Sequence, residues 1–198
     1  GMMFNVANLD NERSRISRYL ANRGYYRFNK DFISYKADSV PGSHLIDITL
    51  VLDKYRSGEE SNLPHQVYTI GDVDFVSGNP NDSVIPLRQS VLSSNTFLES
   101  GALYAFDNLQ STYNHFGRLG AVRYTNISFH ERDFEPVLDC DIHVSTNKPS
   151  TISFQPEGTN TAGDFGAAVS LTYQNRNLFH SSENLSIVLR GAYEAIRG

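Results

Sequence analysis

The sequence of 198 residues contains no tryptophan, only two methionines and a single cysteine. The lone Cys140 has no partner for an internal disulfide, and its apolar setting in "VLDCDIHV" predicts a small buried residue. No apolar run approaches the roughly 20 residues that a membrane-spanning helix needs. The net charge of -5 provides no basic surface, so we expect no nucleic-acid partner.

Motifs of the common enzyme classes are also missing. The sequence contains no G-x-S-x-G, no P-loop, no G-x-G-x-x-G and no HExxH. Acids are paired at Asp72 and Asp74 and again at Asp139 and Asp141, but strand alternation points each pair away from the core, so we interpret them as solvated. The six histidines include no pair at metal-ligand spacing. We therefore predict no catalytic site, no metal site and no cofactor.

The first third of the chain predicts a helix followed by a hairpin. Residues 9–24 have helical periodicity, with Asp10 as the N-cap and Gly24 as the stop. Strands are expected at 32–38 and 44–52, with the turn-forming stretch "SVPGS" between them. Eleven tyrosines and twelve phenylalanines favour more sheet than helix in the chain as a whole. The positions expected to face inward on the second strand are Ile46, Ile48, Leu50 and Leu52.

A second, longer unit follows a polar boundary. Residues 53–66 lack apolar periodicity and predict a linker. The elements expected beyond it are a strand at 67–75, a helix from Asp82 or Ser83 to about Ser93, a helix at 105–118, and strands at 121–129 and 136–144. The predicted order is strand, helix, helix, strand, strand.

The two units share part of this order at a shift of 96 residues. Helix, glycine stop and hairpin recur, so that Gly24 falls on Gly120 and Phe28 on Tyr124, and Ile46 falls on Ile142. We predict tandem domains at 1–60 and 61–148, of which the first lacks its opening strand and first helix. Because Gly1 stands before Met2, we expect a fragment that begins inside the first domain. In the alternative, residues 3–7 supply the missing strand.

Residues 149–198 change character. Three strand-like segments, "STISFQPEG", "DFGAAVSLTYQ" and "LSIVLRGAYE", follow one another without a helix. Segments of about ten residues with a two-residue repeat, separated by turn residues, are typical of an outer-membrane barrel. A strand of a soluble sandwich is the other interpretation, but its outer face usually carries Lys, Glu or Arg, and from 165 to 174 this one carries only uncharged residues.

A family resemblance rests on two stretches of the sequence. "ESGALYAFDNLQSTYNHFGRLGAVRYTNISF" resembles a POTRA domain, in which a helix ends in a Leu-Gly pair before a strand with Asn and then Ile or Val; here these are Leu119, Gly120, Asn126 and Ile127. The tail "EGTNTAGDFGAAVSLTYQNRNLF" is similar to the first barrel strands of the BamA and TamA superfamily, in particular the TamA-like surface-antigen proteins of Bacteroidetes. The likeness covers nearly all of residues 9–198.

The resemblance implies an α+β fold. Tandem POTRA-like domains, the first truncated, would lead into the opening antiparallel strands of a transmembrane β-barrel at 149–198. It implies a non-enzymatic assembly or translocation factor of the bacterial outer membrane, with the POTRA region in the periplasm. Its partners would be unfolded outer-membrane protein clients and periplasmic, inner-membrane or lipoprotein partners. The side chains that would face lipid are Phe165, Ala167, Val169, Leu171 and Tyr173.

The resemblance also implies where a client would bind. In the family the second POTRA strand is an exposed edge, which offers its backbone to an incoming strand by β-augmentation. The matching residues are Val122, Arg123, Tyr124, Thr125, Asn126, Ile127, Ser128 and Phe129. In the first copy they map to 32–37. Two alternatives stay open, namely an edge that Arg123 merely blunts, and a soluble periplasmic α+β binding module for a protein or cell-wall ligand.

Overall fold

The computed structural model describes residues 5–39, 42, 45–57, 60–80, 82–161 and 164–195. Its helices are α1 (Val6–Ala21), a 3-10 helix (Lys30–Phe32), α2 (Gln89–Ser94) and α3 (Phe106–Phe116). Its strands are β1 (Ile33–Ser39), β2 (Ile46–Leu52), β3 (Tyr55–Ser57), β4 (Glu60–Leu63), β5 (Thr69–Ser77), β6 (Val122–Glu131), β7 (Val137–Thr146), β8 (Ser150–Thr161), β9 (Asp164–Asn175) and β10 (Leu185–Ala195). Among these residues, no helix is both long enough and apolar enough to cross a membrane.

Helix α1 begins three residues earlier than predicted. The side chain of Asn5 accepts the backbone N–H of Ala7 at 2.9 Å, so Asn5 is the N-cap. Asp10 lies inside the helix and pairs with Arg13. Val6 and Ala7 are helical, which makes a strand over residues 3–7 wrong for its second half; residues 3 and 4 lie outside the described chain. After the helix, Gly24 adopts a φ of 91°, as the predicted glycine stop requires.

The predicted hairpin is confirmed, but the burial of its second strand is wrong. β1 and β2 pair antiparallel in one regular register from Ile33 opposite Leu52 to Ser39 opposite Ile46. The four positions expected to face inward, Ile46, Ile48, Leu50 and Leu52, are between 42 and 53% exposed. Alternation determines which residues share a face. It does not supply the second layer that would cover that face. A two-stranded sheet alone buries little apolar surface.

The repeat at 96 residues holds for the helix ends but not for the hairpins. Eleven residues separate α1 from β1, whereas five separate α3 from β6. Phe28 therefore precedes the 3-10 helix, while Tyr124 lies within β6, and their predicted equivalence is wrong. The same difference offsets Ile46, the first residue of β2, from Ile142 in the middle of β7.

The polar stretch 53–66 contains structure that its composition did not predict. β3 and β4 form a small antiparallel hairpin, in which Tyr55 lies opposite Leu63 and the register shifts once. Strands of three and four residues are too short to show a two-residue repeat, which is why the sequence gives no signal for them.

The predicted order strand, helix, helix, strand, strand is confirmed in residues 69–146. Its strands form a sheet in the order β5-β7-β6, with β7 in the centre. The inward positions of β7, Leu138, Cys140, Ile142 and Val144, are at most 1% exposed, so Cys140 is the buried residue that was predicted. α2 begins at Gln89 and not at residue 82 or 83.

The described chain forms two compact units. One comprises Gly1–Asp74, Phe97–Thr112 and Ser128–Asp141, and the other comprises Phe75–Thr96, Tyr113–Ile127 and Ile142–Gly198. The domains expected at 1–60, 61–148 and 149–198 stay a prediction.

Candidate binding edge and apolar sheet face

The residues predicted to bind a client all lie in β6, and the sheet order puts β6 at an edge of its three-stranded sheet. Val122 and Ile127 are buried, whereas Arg123, Tyr124 and Asn126 are exposed. The half-buried members are Thr125, Ser128 and Phe129. An edge strand presents backbone N–H and C=O groups on its open side, and this is the feature that β-augmentation uses.

Two backbone hydrogen bonds flank the hairpin of β6 and β7: Asn147 N–H to Ala121 C=O at 2.8 Å, and Arg132 N–H to Val137 C=O at 3.0 Å. The N–H of Arg132, the residue after β6, therefore faces the start of β7.

Tyr113 of α3 occupies one backbone donor of this edge strand. Its hydroxyl accepts the N–H of Ile127 at 3.0 Å, so that N–H does not pair with β7. Because backbone groups alternate along a strand, the N–H groups of Phe129 and Glu131 point to the same open side, and those of Ser128 and His130 point to β7. The open edge is thus divided at Ile127. Helical spacing puts Tyr113 on the apolar face of the predicted helix with Phe106, Leu109 and Phe116, but it does not predict the bond of its hydroxyl, since a contact between a helix and a strand leaves no local pattern.

A polar cluster lies at the end of β6. Glu131 accepts two hydrogen bonds from the guanidinium of Arg27, one of them at 2.8 Å, and one from the hydroxyl of Tyr68 at 3.0 Å. Burial, together with the hydrogen bond to Glu131, raises the pKa of Tyr68 to about 12. The Tyr68 hydroxyl therefore stays protonated and keeps donating to Glu131 across the physiological range.

One acid of each pair contacts the same arginine. Arg132 bonds both Asp72, at 2.7 Å, and Asp139, at 2.6 Å, and its hydrogen bond holds the pKa of Asp139 below the ordinary value. Asp141 contacts His130 at 3.1 Å. Within the described ranges no three His, Cys, Asp or Glu side chains converge to hold a metal ion. Arg132 neutralises Asp72 and Asp139, and it is a partner that the sequence did not reveal.

The last three strands form an antiparallel sheet in the order β10-β9-β8, with one continuous apolar face. Residues directly opposite one another share a face, and the register aligns Ile152 with Tyr173 and Ile187, Phe154 with Leu171 and Leu189, Pro156 with Val169 and Gly191, and Gly158 with Ala167 and Tyr193. Ile152, Phe154, Val169, Leu171, Ile187, Leu189 and Tyr193 are between 41 and 73% exposed. Four of the five residues predicted to face lipid thus share this face. Phe165 pairs with Asn160 and Ala195, and its side chain lies outside the described part.

The opposite face of the same sheet is mostly polar. It carries the aligned sets Thr151, Gln174 and Ser186, then Ser153, Thr172 and Val188, then Gln155, Ser170 and Arg190. Arg190 forms an ion pair with Glu157 at 3.0 Å, and the small Ala168 between their strands is only 4% exposed. One sheet therefore has an apolar side and a polar side.

The loop between β9 and β10 is fixed by hydrogen bonds to the segments around Pro86 and Ala121. The amide nitrogen of the buried Asn177 donates to Pro86 C=O, and its amide oxygen accepts the N–H of Ser182 at 3.0 Å. The hydroxyl of Ser182 accepts the N–H of Ala121 at 2.9 Å. Arg88 N–H donates to His180 C=O at 2.8 Å. His180 and Ser182 both adopt positive φ, at 62° and 64°, a conformation that costs free energy in residues other than glycine.

This architecture defines a fold class, an α+β POTRA unit of the order strand, helix, helix, strand, strand that leads into antiparallel barrel-type strands. Solved structures with this fold include BamA from Haemophilus ducreyi lacking POTRA domains 1–3, at 14% identity and a TM-score of 0.58, and CdiB from Acinetobacter baumannii, at 12% identity and a TM-score of 0.50. Each likeness covers 97% of this chain.

These likenesses confirm the predicted α+β fold, in which the barrel-type strands are not closed. The chain spans 38% of the BamA structure and 31% of CdiB. No protein-family model and no curated protein matches the sequence. The Bacteroidetes subfamily stays a prediction.

Proposed function

We propose that this chain belongs to an outer-membrane protein assembly or translocation factor of the BamA type. It would supply a periplasmic POTRA arm and the first strands of a membrane barrel. The observation that carries the proposal is the register of β8, β9 and β10, which places seven exposed apolar side chains on one face of a sheet that directly follows a POTRA-type unit. Binding, and not catalysis, is the activity that this geometry supports.

The apolar face is the part of the molecule suited to acyl chains. Water contact with a continuous row of aliphatic and aromatic side chains is unfavourable by about 25 cal/mol for each Å². In a transmembrane barrel such a face lies against lipid, while the polar face with Arg190 and Glu157 lines the interior. The same alternation in a soluble sheet would require a covering layer.

The absence of tryptophan offers a direct test of the membrane face. A single tryptophan is placed at Leu171, on the apolar face, or at Thr172, the next residue on the polar face. Each variant is reconstituted into vesicles with and without brominated lipid, which quenches tryptophan fluorescence on contact. We expect strong quenching for Leu171→Trp and weak quenching for Thr172→Trp, because neighbouring residues of a strand point to opposite faces.

The two substitutions are matched, since they differ by one position and sit in the same strand. Equal quenching at both positions, or none at either, would contradict a lipid-facing sheet. That result would favour the alternative of a soluble periplasmic binding module.

We further propose that clients or partner polypeptides pair with the open side of β6. Support comes from its edge position and from the N–H groups of Phe129 and Glu131, which strand alternation directs away from β7. Pairing through the backbone depends little on the sequence of the client. Backbone pairing suits a factor that handles many unfolded outer-membrane proteins. Partner lipoproteins or inner-membrane proteins could bind the same edge.

Amide hydrogen exchange tests this pairing without a substitution. An unstructured ten-residue peptide of alternating valine and threonine is added to the chain in detergent micelles. We expect slower exchange at Phe129 and Glu131, whose N–H groups point to the open side. Ser128 and His130, whose N–H groups face β7, are the internal control and should not change. Protection spread over all four residues, or absent from Phe129 and Glu131, would argue against augmentation on β6.

A further inference from the structure

An aromatic-lined cavity of about 150 Å³ lies beside the end of the edge strand. Two of its lining residues, Arg27 and Tyr68, are the hydrogen-bond partners of Glu131, the last residue of β6. The remaining wall includes Phe28, Tyr55, Leu63 and His65. The cavity is therefore within one side-chain length of the point where the open edge ends.

Several polar groups of the cavity wall bond one another or nearby groups. The guanidinium of Arg27 bonds Glu131 and the hydroxyl of Tyr55, the latter at 2.9 Å. Nε2 of His65 bonds the backbone C=O of Asp53 at 2.9 Å. These contacts use three of the five N–H donors of Arg27, so the wall combines ring and aliphatic surface with part of a cation.

The aromatic rings of the wall are arranged around His65. Its ring centroid lies 4.9 Å from that of Phe28, 4.7 Å from that of Phe32 and 6.3 Å from that of Tyr55, all in edge-to-face orientation. Edge-to-face packing is the geometry that aromatic pairs prefer. An apolar cavity of about 150 Å³ binds benzene in another protein. The volume thus matches one phenyl ring, and the rings of the wall offer it edge-to-face contacts.

We infer that this cavity, which we call the ring pocket, takes an aromatic side chain of the extended polypeptide that pairs with β6. The inference rests on the proposed augmentation, and it adds a side-chain preference to a contact that is otherwise made by backbone alone. Edge-binding domains obtain their specificity in this way, from pockets that take alternate side chains of the added strand. A client strand that continues past Glu131 would reach the mouth of the pocket beside Arg27 and Tyr68.

Two peptides that differ at one position test the ring pocket. Both have ten residues of alternating valine and threonine, and one carries phenylalanine near its end where the other carries serine. Fluorescence anisotropy measures their affinity for the full chain in detergent micelles. We expect the phenylalanine peptide to bind about tenfold more tightly or better, as burial of one aromatic ring predicts.

Filling the pocket should remove this preference. Leu63→Trp places a large ring in the space that the client would use, so both peptides should then bind within about twofold of each other. Leu52→Trp is the matched control, because Leu52 lies in the same compact unit, is 53% exposed and does not line the pocket. An unchanged affinity for the serine peptide shows that each variant retains its fold. If Leu63→Trp does not fold, Leu63→Ala should shift the preference from phenylalanine to the larger naphthylalanine.

The outcomes distinguish the ring pocket from augmentation on β6. Equal affinity of the two peptides for the unmodified chain, or a phenylalanine preference that survives Leu63→Trp, would overturn the ring pocket and leave augmentation standing. Failure of both peptides to bind would overturn augmentation on β6 and the pocket with it.

Discussion

Asn177 should hold the loop between β9 and β10 in place, and its replacement by alanine provides a quantitative test. The side chain is 8% exposed and bonds two backbone groups, Pro86 C=O and Ser182 N–H. Asn177→Ala leaves both without this partner. Pro86 C=O keeps a second contact, Nδ1 of His180 at 3.2 Å, so the group left without this support is Ser182 N–H. A buried polar group that loses its partner costs about 1–3 kcal/mol, so we expect a local destabilisation of about that size.

Hydrogen exchange at two amides outside the mutated contact measures this effect. Arg88 N–H is bonded to His180 C=O, and Ala121 N–H is bonded to the hydroxyl of Ser182. Neither bond involves Asn177 directly, so both report on whether the loop opens. Since about 1.4 kcal/mol corresponds to a factor of ten, exchange at both amides should accelerate by roughly 5-fold to 140-fold.

The matched control is Asn184→Ala in the same loop. Asn184 is exposed, and its side chain bonds that of Gln174 at 3.2 Å within the described ranges, so its loss should change exchange by less than about threefold. Unchanged exchange at Arg88 and Ala121 in Asn177→Ala would refute the reasoning, because it would mean that the loop is held by other contacts. Equal effects of the two substitutions would refute it as well.

Three further predictions follow from single contacts. Tyr113→Phe removes the hydroxyl that accepts Ile127 N–H, so exchange at Ile127 should accelerate at least tenfold while circular dichroism stays unchanged; normal protection would show that the hydroxyl is dispensable. Phe116→Ala should lower the free energy of unfolding by about 3–5 kcal/mol, because Phe116 is fully buried. Phe134→Ala, at a fully exposed position, should change it by under about 0.5 kcal/mol. Similar losses for the two variants in denaturant melts would contradict this. Burial raises the pKa of Cys140 to about 12. Its alkylation by iodoacetamide at pH 8 should therefore be about a thousandfold slower than that of a free thiol near pKa 9, and the rate should rise with pH. Rapid labelling of the native chain would contradict the burial.

Strand alternation and helical spacing predicted the strands and helices in which these patterns occur. The sequence of β7 shows inward Leu138, Cys140, Ile142 and Val144, and these residues form the centre of the sheet. The same signal predicted the apolar side of β9, because a two-residue repeat is a local property that survives without knowledge of the neighbours. Helical spacing placed Tyr113 on the apolar face of α3, but the bond of its hydroxyl to Ile127 N–H depends on how α3 packs against β6 and left no signal.

Contacts between distant segments were beyond the sequence. Asn177 and Pro86 are 91 residues apart, and neither residue type predicts the bond that joins them. The ring pocket also combines separate segments, with Phe28 before β1 and His65 after β4. The predicted burial of the β2 side chains was wrong for a related reason. A row of apolar residues such as Ile46, Ile48 and Leu50 indicates a face that could be covered, but the sequence does not show which segment would cover it.

The ion pair between Glu157 and Arg190 also marks the alignment of its sheet. The two residues sit on the outer strands and meet across the buried Ala168 of β9. A shift of β10 by two residues would keep every side chain on its proper face, yet it would move the guanidinium by about 7 Å and break the pair. A shift by one would place Arg190 on the apolar face. Pairing of these strands in a shifted register would therefore separate Arg190 from Glu157, and the contact between the two side chains identifies the observed register.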